Sequence, residues 1–343
     1  MIVVRMSPVF TAIVNYRTGR LVVDCLASLA GSRGAWHGGR VIVVDNASGD
    51  DSVEIIRAAI AQHGWADWVE LLPMPHNGGF AYGNNAAVAR IREIAPDFGA
   101  VVLLNPDTVV MPAAIERLAE YLHHQDGVGI AGALIEDESG RPVVSAHANP
   151  SPVSELTGAA RFGVLSRWLG HDAVSGPPAS AAHVCDWVSG ACIAIRREVF
   201  DTVGPMDEGF FLYYEEVDFC LRAHQAGWSC WFLPEARVRH FEGASTGIKM
   251  PRRRRPGYWY ASRRRFFVKA YGTAGLVAAD LLWAIGRLSL VVRRALGLGG
   301  REGRDDEPQR YARDLLGGDF AALMNGELRR IAGEPRRPVP PSP

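Results

Sequence analysis

The sequence has no excess of charge of either sign, with 37 Lys and Arg against 37 Asp and Glu in 343 residues. No global electrostatic field therefore points to nucleic acid as a partner. The five cysteines show no CxxC spacing, which argues against a zinc knuckle. An odd number of cysteines within apolar runs suits buried, reduced thiols, so we expect a cytoplasmic protein.

Long apolar runs without charge are also scarce. Arg5, Ser7 and Pro8 interrupt the apolar N-terminus too early for a secretory signal peptide. We further expect that no stretch is long and uncharged enough to cross a bilayer as a helix.

Two glycine-rich nucleotide motifs are missing as well. The first predicted strand, 9–14, is followed by NYRTGR, which has one glycine where a dinucleotide-binding protein has GxGxxG. The phosphate loop GxxxxGKS or GxxxxGKT is absent too. A bound nucleotide would therefore be held by side chains and a metal ion more than by a glycine loop.

What the sequence does contain is an alternation of predicted strands and helices in its first third. Strands are predicted at 9–14, 41–44, 69–72 and 101–105, with helices between them. This pattern predicts an α/β protein with a doubly wound, mostly parallel sheet. Polar residues lie at or just beyond the strand ends: Asn15, Asp45, Asn77 and Asp107. Because such strand ends share one edge of the sheet, we expect a binding crevice there.

The segment VVLLNPD, residues 101–107, is the centre of this prediction. Pro106 cannot donate a hydrogen bond to a neighbouring strand, so the strand should stop at Asn105 and leave Asp107 just beyond it. A carboxylate in that position can bind a divalent cation, which in turn binds a diphosphate. The alternative is that Asp107 merely begins a turn, because Asn, Pro and Asp are common turn residues.

Three carboxylates lie within four positions at the start of a predicted helix: Glu215, Glu216 and Asp218. A helix N-terminus favours negative charge, which is the structural interpretation. The functional one is that like charges and nearby aromatic rings raise the pKa of one carboxylate, making it a general base. Asp218 can pair with Arg222, four residues on, which leaves Glu216 as the freer base. His240, which closes a predicted strand, is a candidate second metal ligand.

Six separated segments, in this order, resemble family 2 glycosyltransferases of the GT-A fold, and more narrowly the bacterial rhamnosyltransferase-like branch. They are IVNYRTGRLVVDCLASL, VIVVDNASGDDSV, HNGGFAYGNNAAV, LLNPDTVV, VSGACIAIRREVFDTVGPMDEGFFLYYEEVDFCLR and HFEGAST. The resemblance covers residues 7–247. It implies a Rossmann-like, mostly parallel central sheet flanked by helices, with a helical C-terminal extension.

The resemblance also implies which residues bind the donor and the acceptor. The residues expected at the nucleotide sugar are Asn15, Asp45, Asn77, Asn84, Asn85 and Asp107. Those expected near the sugar or the acceptor are Ser189, Gly190, Asp207 and Glu208.

The expected catalytic and metal-binding residues follow from the same comparison. Asp107 would be the metal-binding acid of a DXD motif, whose first acid is Asn105 here, and His240 would complete the metal site. Glu216 would be the catalytic base. Asp218 stays the alternative base because Glu216 is longer than the usual Asp.

The implied activity is transfer of a sugar, with inversion, from a nucleotide sugar to a glycan or lipid-linked acceptor, with Mg²⁺ or Mn²⁺ as cofactor. The implied donor is dTDP-rhamnose and the implied setting is bacterial cell-surface polysaccharide synthesis. A UDP- or GDP-sugar is the alternative donor. Asn105 favours a second alternative, a non-catalytic nucleotide-sugar-binding or scaffold protein.

The predicted organisation has three parts. A catalytic domain spans 1–247, with a nucleotide-binding half at 7–110 and an acceptor half at 111–247. It is followed by a helical extension at 248–332 and a disordered Pro/Arg tail at 333–343. A predicted helix at 276–296 carries an apolar stripe, which should pack on the catalytic domain or on a second copy in a homodimer. The alternative is docking on the inner face of the plasma membrane.

Overall fold

The computed structural model describes residues 7–31, 38–161, 179–241, 253–298 and 308–334. Its strands are β1 Val9–Asn15, β2 Val41–Asp45, β3 Val69–Pro73, β4 Ala100–Leu104, β5 Thr108–Val110, β6 Val128–Glu136, β7 Pro142–Val143, β8 Ala146–His147, β9 His183–Cys185, β10 Trp187–Val188, β11 Cys192–Arg196 and β12 Ser229–His240. Its helices are α1 Gly19–Ala30, α2 Ser52–Gln62, α3 Phe80–Ile94, α4 Ala114–His124, α5 Pro152–Ala160, α6 Arg197–Val203, α7 Glu215–Gln225, α8 Gly257–Ala295, α9 Tyr311–Met324 and α10 Glu327–Gly333.

The central sheet begins as the parallel sheet that the sequence predicts. Its strand order is β3-β2-β1-β4-β11-β6-β12-β5, and β3, β2, β1 and β4 are mutually parallel. β1, β2 and β4 are apolar runs buried along their whole length. Helices on both faces of a parallel sheet require such strands, since neither face meets water.

The other half of the sheet is mixed. β11 runs antiparallel to both β4 and β6, whereas β12 runs parallel to β6 and antiparallel to β5. The short strand β5 follows the turn after β4, and its Thr108 pairs with His240 at the end of β12. This register brings the end of β12 beside Asp107.

Hydrophobic clusters cover both faces of the sheet. One contains side chains of α1, α2 and α4, and the other contains side chains of α3, α6 and α7. A third cluster joins Val217 of α7 to Phe266 and Phe267 of α8, and includes Leu328 of α10. The C-terminal helices are therefore packed directly against the helix that begins with Glu215 and Glu216.

The segment 145–182 is rich in Ser, Gly, Pro and Ala, a composition typical of a loop, yet its described part contains regular structure. Its Ser, Gly, Pro and Ala content hides β8 and α5, and α5 begins with a capping box between Ser151 and Ser154. α5 packs against α8, where a Cβ on Gly286 would lie 2.5 Å from the Leu156 carbonyl oxygen. Residues 162–178 lie outside the described residues.

The C-terminal helix differs from the prediction in length and in apolar character. α8 covers 39 residues rather than 276–296, with a kink at Gly272, whose φ is 72°. An 18-residue window of α8 has a mean hydropathy of 1.7, so by length and composition α8 qualifies as a candidate membrane span. The prediction that no such stretch exists is wrong because two charges, Asp280 and Arg287, do not interrupt the apolar run.

Two predictions fall outside the described part of the chain. The boundary expected after residue 247 lies within 242–252, and the expected tail lies largely within 335–343. α10 ends at Gly333, where that tail was expected to begin.

Candidate functional site

A cavity of about 500 Å³ opens at the carboxyl ends of β1 and β4. It is bounded by loops that follow these strands, by the turn before β11, and by the first turn of α7. The predicted site residues that line it are Asn77, Asp107, Ser189, Gly190, Glu216 and His240. Residues from five separated positions in the chain thus meet at one place, at the edge of the sheet where the sequence predicts a crevice.

Asn15 and Asp45 are not among the side chains that line the cavity, contrary to expectation. Both are buried, and the Asn15 Nδ2 donates to Asp45 Oδ1 over 2.7 Å. The Ser48 hydroxyl donates to the same Asp45 oxygen, and the Thr18 hydroxyl donates to Asn15 Oδ1. These hydrogen bonds hold together the loops that follow β1 and β2. The same two loops contribute Tyr16, Thr18 and Asn46 to the cavity lining.

Asn46 is a cavity residue that the sequence analysis missed. Its Nδ2 donates to Asn77 Oδ1 at 3.0 Å and to the Gly79 carbonyl at 2.9 Å. Its Oδ1 is buried with no hydrogen-bond partner among the described residues. Asn46 directly follows Asp45 at the end of β2, so the sequence could have indicated Asn46 as a second polar candidate at this strand end.

Gly79 fixes the position of the neighbouring aromatic loop. Its φ is 90°, and a Cβ there would lie 2.1 Å from the Phe211 carbonyl oxygen. The Phe80 N–H donates to that same oxygen over 2.9 Å. The HNGG segment thus needs glycine at this position because another backbone passes directly against it.

Besides Asn15 and Asp45, four further residues expected at the donor or the acceptor lie outside the cavity lining: Asn84, Asn85, Asp207 and Glu208. Asn84 donates to the Phe80 carbonyl within its own helix. Asn85 bridges α3 to the turn before α7, by donating to the Met206 carbonyl and to Glu208.

Asp207 pairs with the C-terminal helix α8. It forms ion pairs with Arg265 at 2.9 Å and with Lys269. Burial opposes ionisation of Asp207, but the hydrogen bonds from these two cations outweigh it and lower its pKa to about 2. The sequence could not show this pairing because the partners lie about sixty residues downstream.

Asp107 and His240 meet at the floor of the cavity. The His240 Nε2 lies 3.0 Å from Asp107 Oδ1 and 3.2 Å from Asn105 Nδ2. The Phe241 N–H donates to the Asp107 carbonyl oxygen over 2.9 Å, which fastens the end of β12 to this turn. The pairing of β5 with β12 thus creates the contact between two residues 133 positions apart.

These two side chains fit a divalent cation that shares its coordination with a ligand. No group of three or more His, Cys, Asp and Glu side chains suited to a metal occurs among the described residues. Mg²⁺ usually keeps water molecules and phosphate oxygens besides one or two carboxylates. One carboxylate and one imidazole suffice for a cation that arrives with a diphosphate, but not for a closed structural site.

Glu215 and Glu216 face the cavity from the first turn of α7. Tyr213 and Tyr214 precede them with φ of 71° and 70°, and this turn aims the helix N-terminus at the cavity. Burial raises the pKa of Glu216 to about 7. The pKa of Glu215 is raised well above its ordinary value by burial and by the neighbouring Glu216 charge. Each carboxylate keeps one buried oxygen without a hydrogen-bond partner among the described residues.

The surroundings of the carboxylates separate the two candidate bases. Asp218 is buried outside the cavity lining and pairs with Arg222 at 2.7 Å and with Lys269 at 3.2 Å. Glu216 faces Gly190, where a Cβ would lie 3.8 Å from its carboxyl carbon. The small residue leaves room beside the Glu216 carboxylate. Glu215 is the cavity carboxylate to which the sequence analysis gave no role.

An aromatic wall formed by Phe211, Tyr213 and Tyr258 closes one side of the cavity. The ring centroids of Tyr258 lie 5.5 Å from Phe211 and 6.3 Å from Tyr213. Tyr258 belongs to the first turn of α8, so the C-terminal extension contributes to the site. The aromatic run at 258–260 was the only signal for this contribution that the sequence offers.

Similarity to solved structures identifies the fold. A mannosyltransferase from Pyrobaculum calidifontis, PcManGT, solved with GDP-Man and Mn²⁺, superposes with a TM-score of 0.53 at 13% identity over 96% of this chain and 84% of that one. GalNAc-T7, solved with UDP, GalNAc and Mn²⁺, gives a TM-score of 0.55 at 12% identity over 93% of this chain and 58% of that one. The predicted GT-A fold is confirmed.

The fold is that of glycosyltransferases. The chain belongs to the family described as "Glycosyltransferase like family 2", whose sequence profile matches residues 7–259. Relatives place it in the rhamnosyltransferase branch. N-acetylglucosaminyl-diphospho-decaprenol L-rhamnosyltransferase of Mycobacterium tuberculosis is 30% identical over 279 residues, 75% of this chain and 82% of the relative. Rhamnosyltransferase WbbL of Escherichia coli is 28% identical over 167 residues, 48% of this chain and 61% of the relative.

Proposed function

We propose that this glycosyltransferase moves rhamnose from dTDP-rhamnose to a glycan or lipid-linked acceptor in the synthesis of a bacterial cell-surface polysaccharide. The names of two relatives, one including a decaprenol diphosphate acceptor, support the sugar and the acceptor. One structural observation carries the proposal. Asp107, His240 and Glu216 line the same cavity, which has room for a ligand of nucleotide-sugar size.

The proposed cofactor is Mg²⁺ or Mn²⁺, held by Asp107 and His240. The Mn²⁺ in the PcManGT and GalNAc-T7 structures supports a divalent cation. When bound, such a cation would supply positive charge at the leaving diphosphate. The His240 Nε2 lies 3.0 Å from Asp107 Oδ1, so both atoms are close enough to coordinate the same cation.

The proposed role of Glu216 is to take the proton from the acceptor hydroxyl. The hydroxyl oxygen then bonds to the anomeric carbon as the bond from that carbon to the diphosphate oxygen breaks on the opposite face. A single displacement of this kind inverts the anomeric configuration. A pKa of about 7 suits the role, because a base that titrates near the working pH is both ionised and strong enough to accept a proton.

The proposed location is the cytoplasm. The five cysteines support it, since their thiols are free and four of them are buried. The lipid-linked acceptor would then be met at the inner face of the plasma membrane.

The proposal is tested by product formation with purified protein, Mn²⁺ and N-acetylglucosamine linked to a polyprenyl diphosphate. dTDP-rhamnose should give product, whereas UDP- and GDP-sugars should not. Glu216→Gln should lower the transfer rate about 10²- to 10⁴-fold while dTDP still binds. Asp218→Asn, the matched control, should lose far less activity.

Two results would contradict it. A preference for a UDP- or GDP-sugar would overturn the donor. Undiminished transfer by Glu216→Gln would overturn the role of the base.

A further inference from the structure

Exposed apolar side chains are concentrated on the C-terminal helices. Of the fifteen large hydrophobic side chains that are exposed among the described residues, twelve lie in 277–298 and 316–324. Leu281, Leu288 and Phe320 are each at least 60% exposed. Soluble monomers rarely leave contiguous apolar patches of this kind, so the surface is expected to contact something.

The segment of α8 beyond Gly272 is apolar on two opposite faces. The inner face packs on α5 and on α9, and consists of Leu276, Ala279, Trp283, Gly286 and Leu290. The outer face repeats at intervals of three and four residues, and consists of Val277, Leu281, Ile285, Leu288 and Val292, continued by Leu296 just after the end of the helix. At about 1.5 Å per residue, this outer face is roughly 30 Å long.

The four charged side chains of α8 beyond Gly272, namely Asp280, Arg287, Arg293 and Arg294, are each only partly exposed. Asp280 turns inward to Arg263 at 3.0 Å, and Arg293 donates to the Ala160 carbonyl. The adjoining helix α9 packs its Leu315 and Ala322 inward and leaves Leu316, Phe320, Leu323 and Met324 exposed. We name the outer face of this α8 segment, together with these four α9 side chains, the apolar platform.

The charge distribution indicates what the platform meets. Residues 253–334 contain sixteen Lys and Arg against nine Asp and Glu, an excess of seven positive charges in a chain of zero net charge. All five acidic residues that the structure describes in this region form ion pairs with arginines: Asp280, Asp314, Asp319, Glu327 and Glu334. The extension is therefore a positively charged unit, and the remainder of the chain is correspondingly acidic.

We propose that the apolar platform docks the protein on an anionic lipid bilayer, with α8 lying in the plane of the headgroups. Apolar side chains would insert at the headgroup boundary while the basic extension meets anionic headgroups. A spanning orientation is disfavoured, because it would place the packed α5 and the buried pair of Arg263 with Asp280 in hydrocarbon. The proposed sugar transfer does not depend on this docking, so either one can fail without the other.

The test is co-sedimentation of the full-length protein with vesicles of phosphatidylcholine, with and without phosphatidylglycerol. Wild type should bind the anionic vesicles, and salt should weaken the binding. The double variant L281Q/L288Q should bind about tenfold more weakly or worse, because two side chains that enter the lipid become polar. Val184→Gln, a matched change at an exposed valine outside the platform, should bind like wild type.

Further variants keep the test decisive. Phe320→Gln on α9 should also weaken vesicle binding. This variant replaces L281Q/L288Q in the test if circular dichroism shows that the double variant is unfolded. Replacing the exposed Arg329 and Arg330 by Gln should weaken binding to anionic vesicles about fivefold for each charge.

Three outcomes would overturn the proposal. The first is that wild type sediments with anionic vesicles no better than with neutral ones. The platform variants could bind as wild type does. Light scattering could instead show a wild-type dimer that L281Q/L288Q converts to monomer without any vesicle binding, which would assign the platform to a second copy of the chain.

Discussion

At the residue scale, the two glutamates of the first turn of α7 experience opposing effects. Burial penalises their charged forms, while the helix N-terminus favours negative charge. The effect of burial is the larger one for Glu216, since the net result is a pKa raised to about 7. A buried acid that must lose its proton to act as a base lowers the stability of the folded protein at neutral pH.

This conflict gives a prediction about stability and pH. The folded protein binds the Glu216 proton more tightly than the unfolded chain, where the pKa is about 4.3. The free energy of unfolding should therefore fall as the pH rises from about 4 to about 7, and then level off. Glu216→Gln removes this loss and should be about 3 kcal/mol more stable than wild type at pH 8, but similar to it at pH 4.

Urea unfolding at both pH values measures this difference. Glu138→Gln, at an exposed glutamate in the turn after β6, is the matched control and should track wild type at each pH. A Glu216→Gln variant that is equally stable, or less stable, at pH 8 would show that the buried charge costs little.

At the scale of elements, an arginine pair holds the C-terminal helices together. Arg263 is fully buried and bridges three helices, by contacting Glu155 at 3.3 Å, Asp280 at 3.0 Å and Asp319 at 3.1 Å. Arg264 adds a contact to the same Asp319 at 2.7 Å. Burial raises the pKa of Asp280 to about 7, so the carboxylates depend on the arginines for compensation.

Removing the central cation should therefore be costly. Arg263→Met leaves buried carboxylates without their partner and should destabilise the fold by about 3 to 5 kcal/mol, as breaking a buried ion pair generally does. Arg254→Met is the matched control, because the Arg254–Asp314 pair is at the surface and should contribute little. Equal unfolding midpoints for the two variants in urea would contradict the proposed role of Arg263.

Local sequence patterns predicted some of these elements and not others. Strand and helix periodicity predicted the parallel half of the sheet, because each strand is locally an apolar run. It could not find α5, since that helix depends on a cap and on its contact with α8 rather than on an amphipathic pattern. It also predicted only part of the length of α8. The exposed outer face of this helix is as apolar as a buried face, so the local sequence does not distinguish the two.

At the scale of the whole molecule, pairing between distant segments decides which predicted residues reach the cavity. Asp107 and Glu216 were predictable, because one follows a buried strand and the other begins a helix. The contact of His240 with Asp107 depends on the register of β12 against β5, which no local pattern encodes. Asn15 and Asp45 lie outside the cavity lining, and they hydrogen-bond to each other, which a list of polar strand ends cannot show.

The site also depends on the C-terminal extension as a whole. Tyr258 completes the cavity wall, and Lys269 contacts both Asp207 and Asp218 from α8. The extension therefore supports the turn and the helix that present the proposed base, besides carrying the apolar platform.

The central claim is that Asp107 and His240 hold a divalent cation against a nucleotide diphosphate in this cavity. The most direct measurement is the melting midpoint of wild type and Asp107→Asn with dTDP, with and without Mn²⁺, since a ligand of the folded state raises the midpoint. The account predicts that Mn²⁺ increases the dTDP-induced shift in wild type and not in Asp107→Asn. An equal Mn²⁺-dependent shift in both proteins, or no effect of Mn²⁺ on wild type, would contradict it.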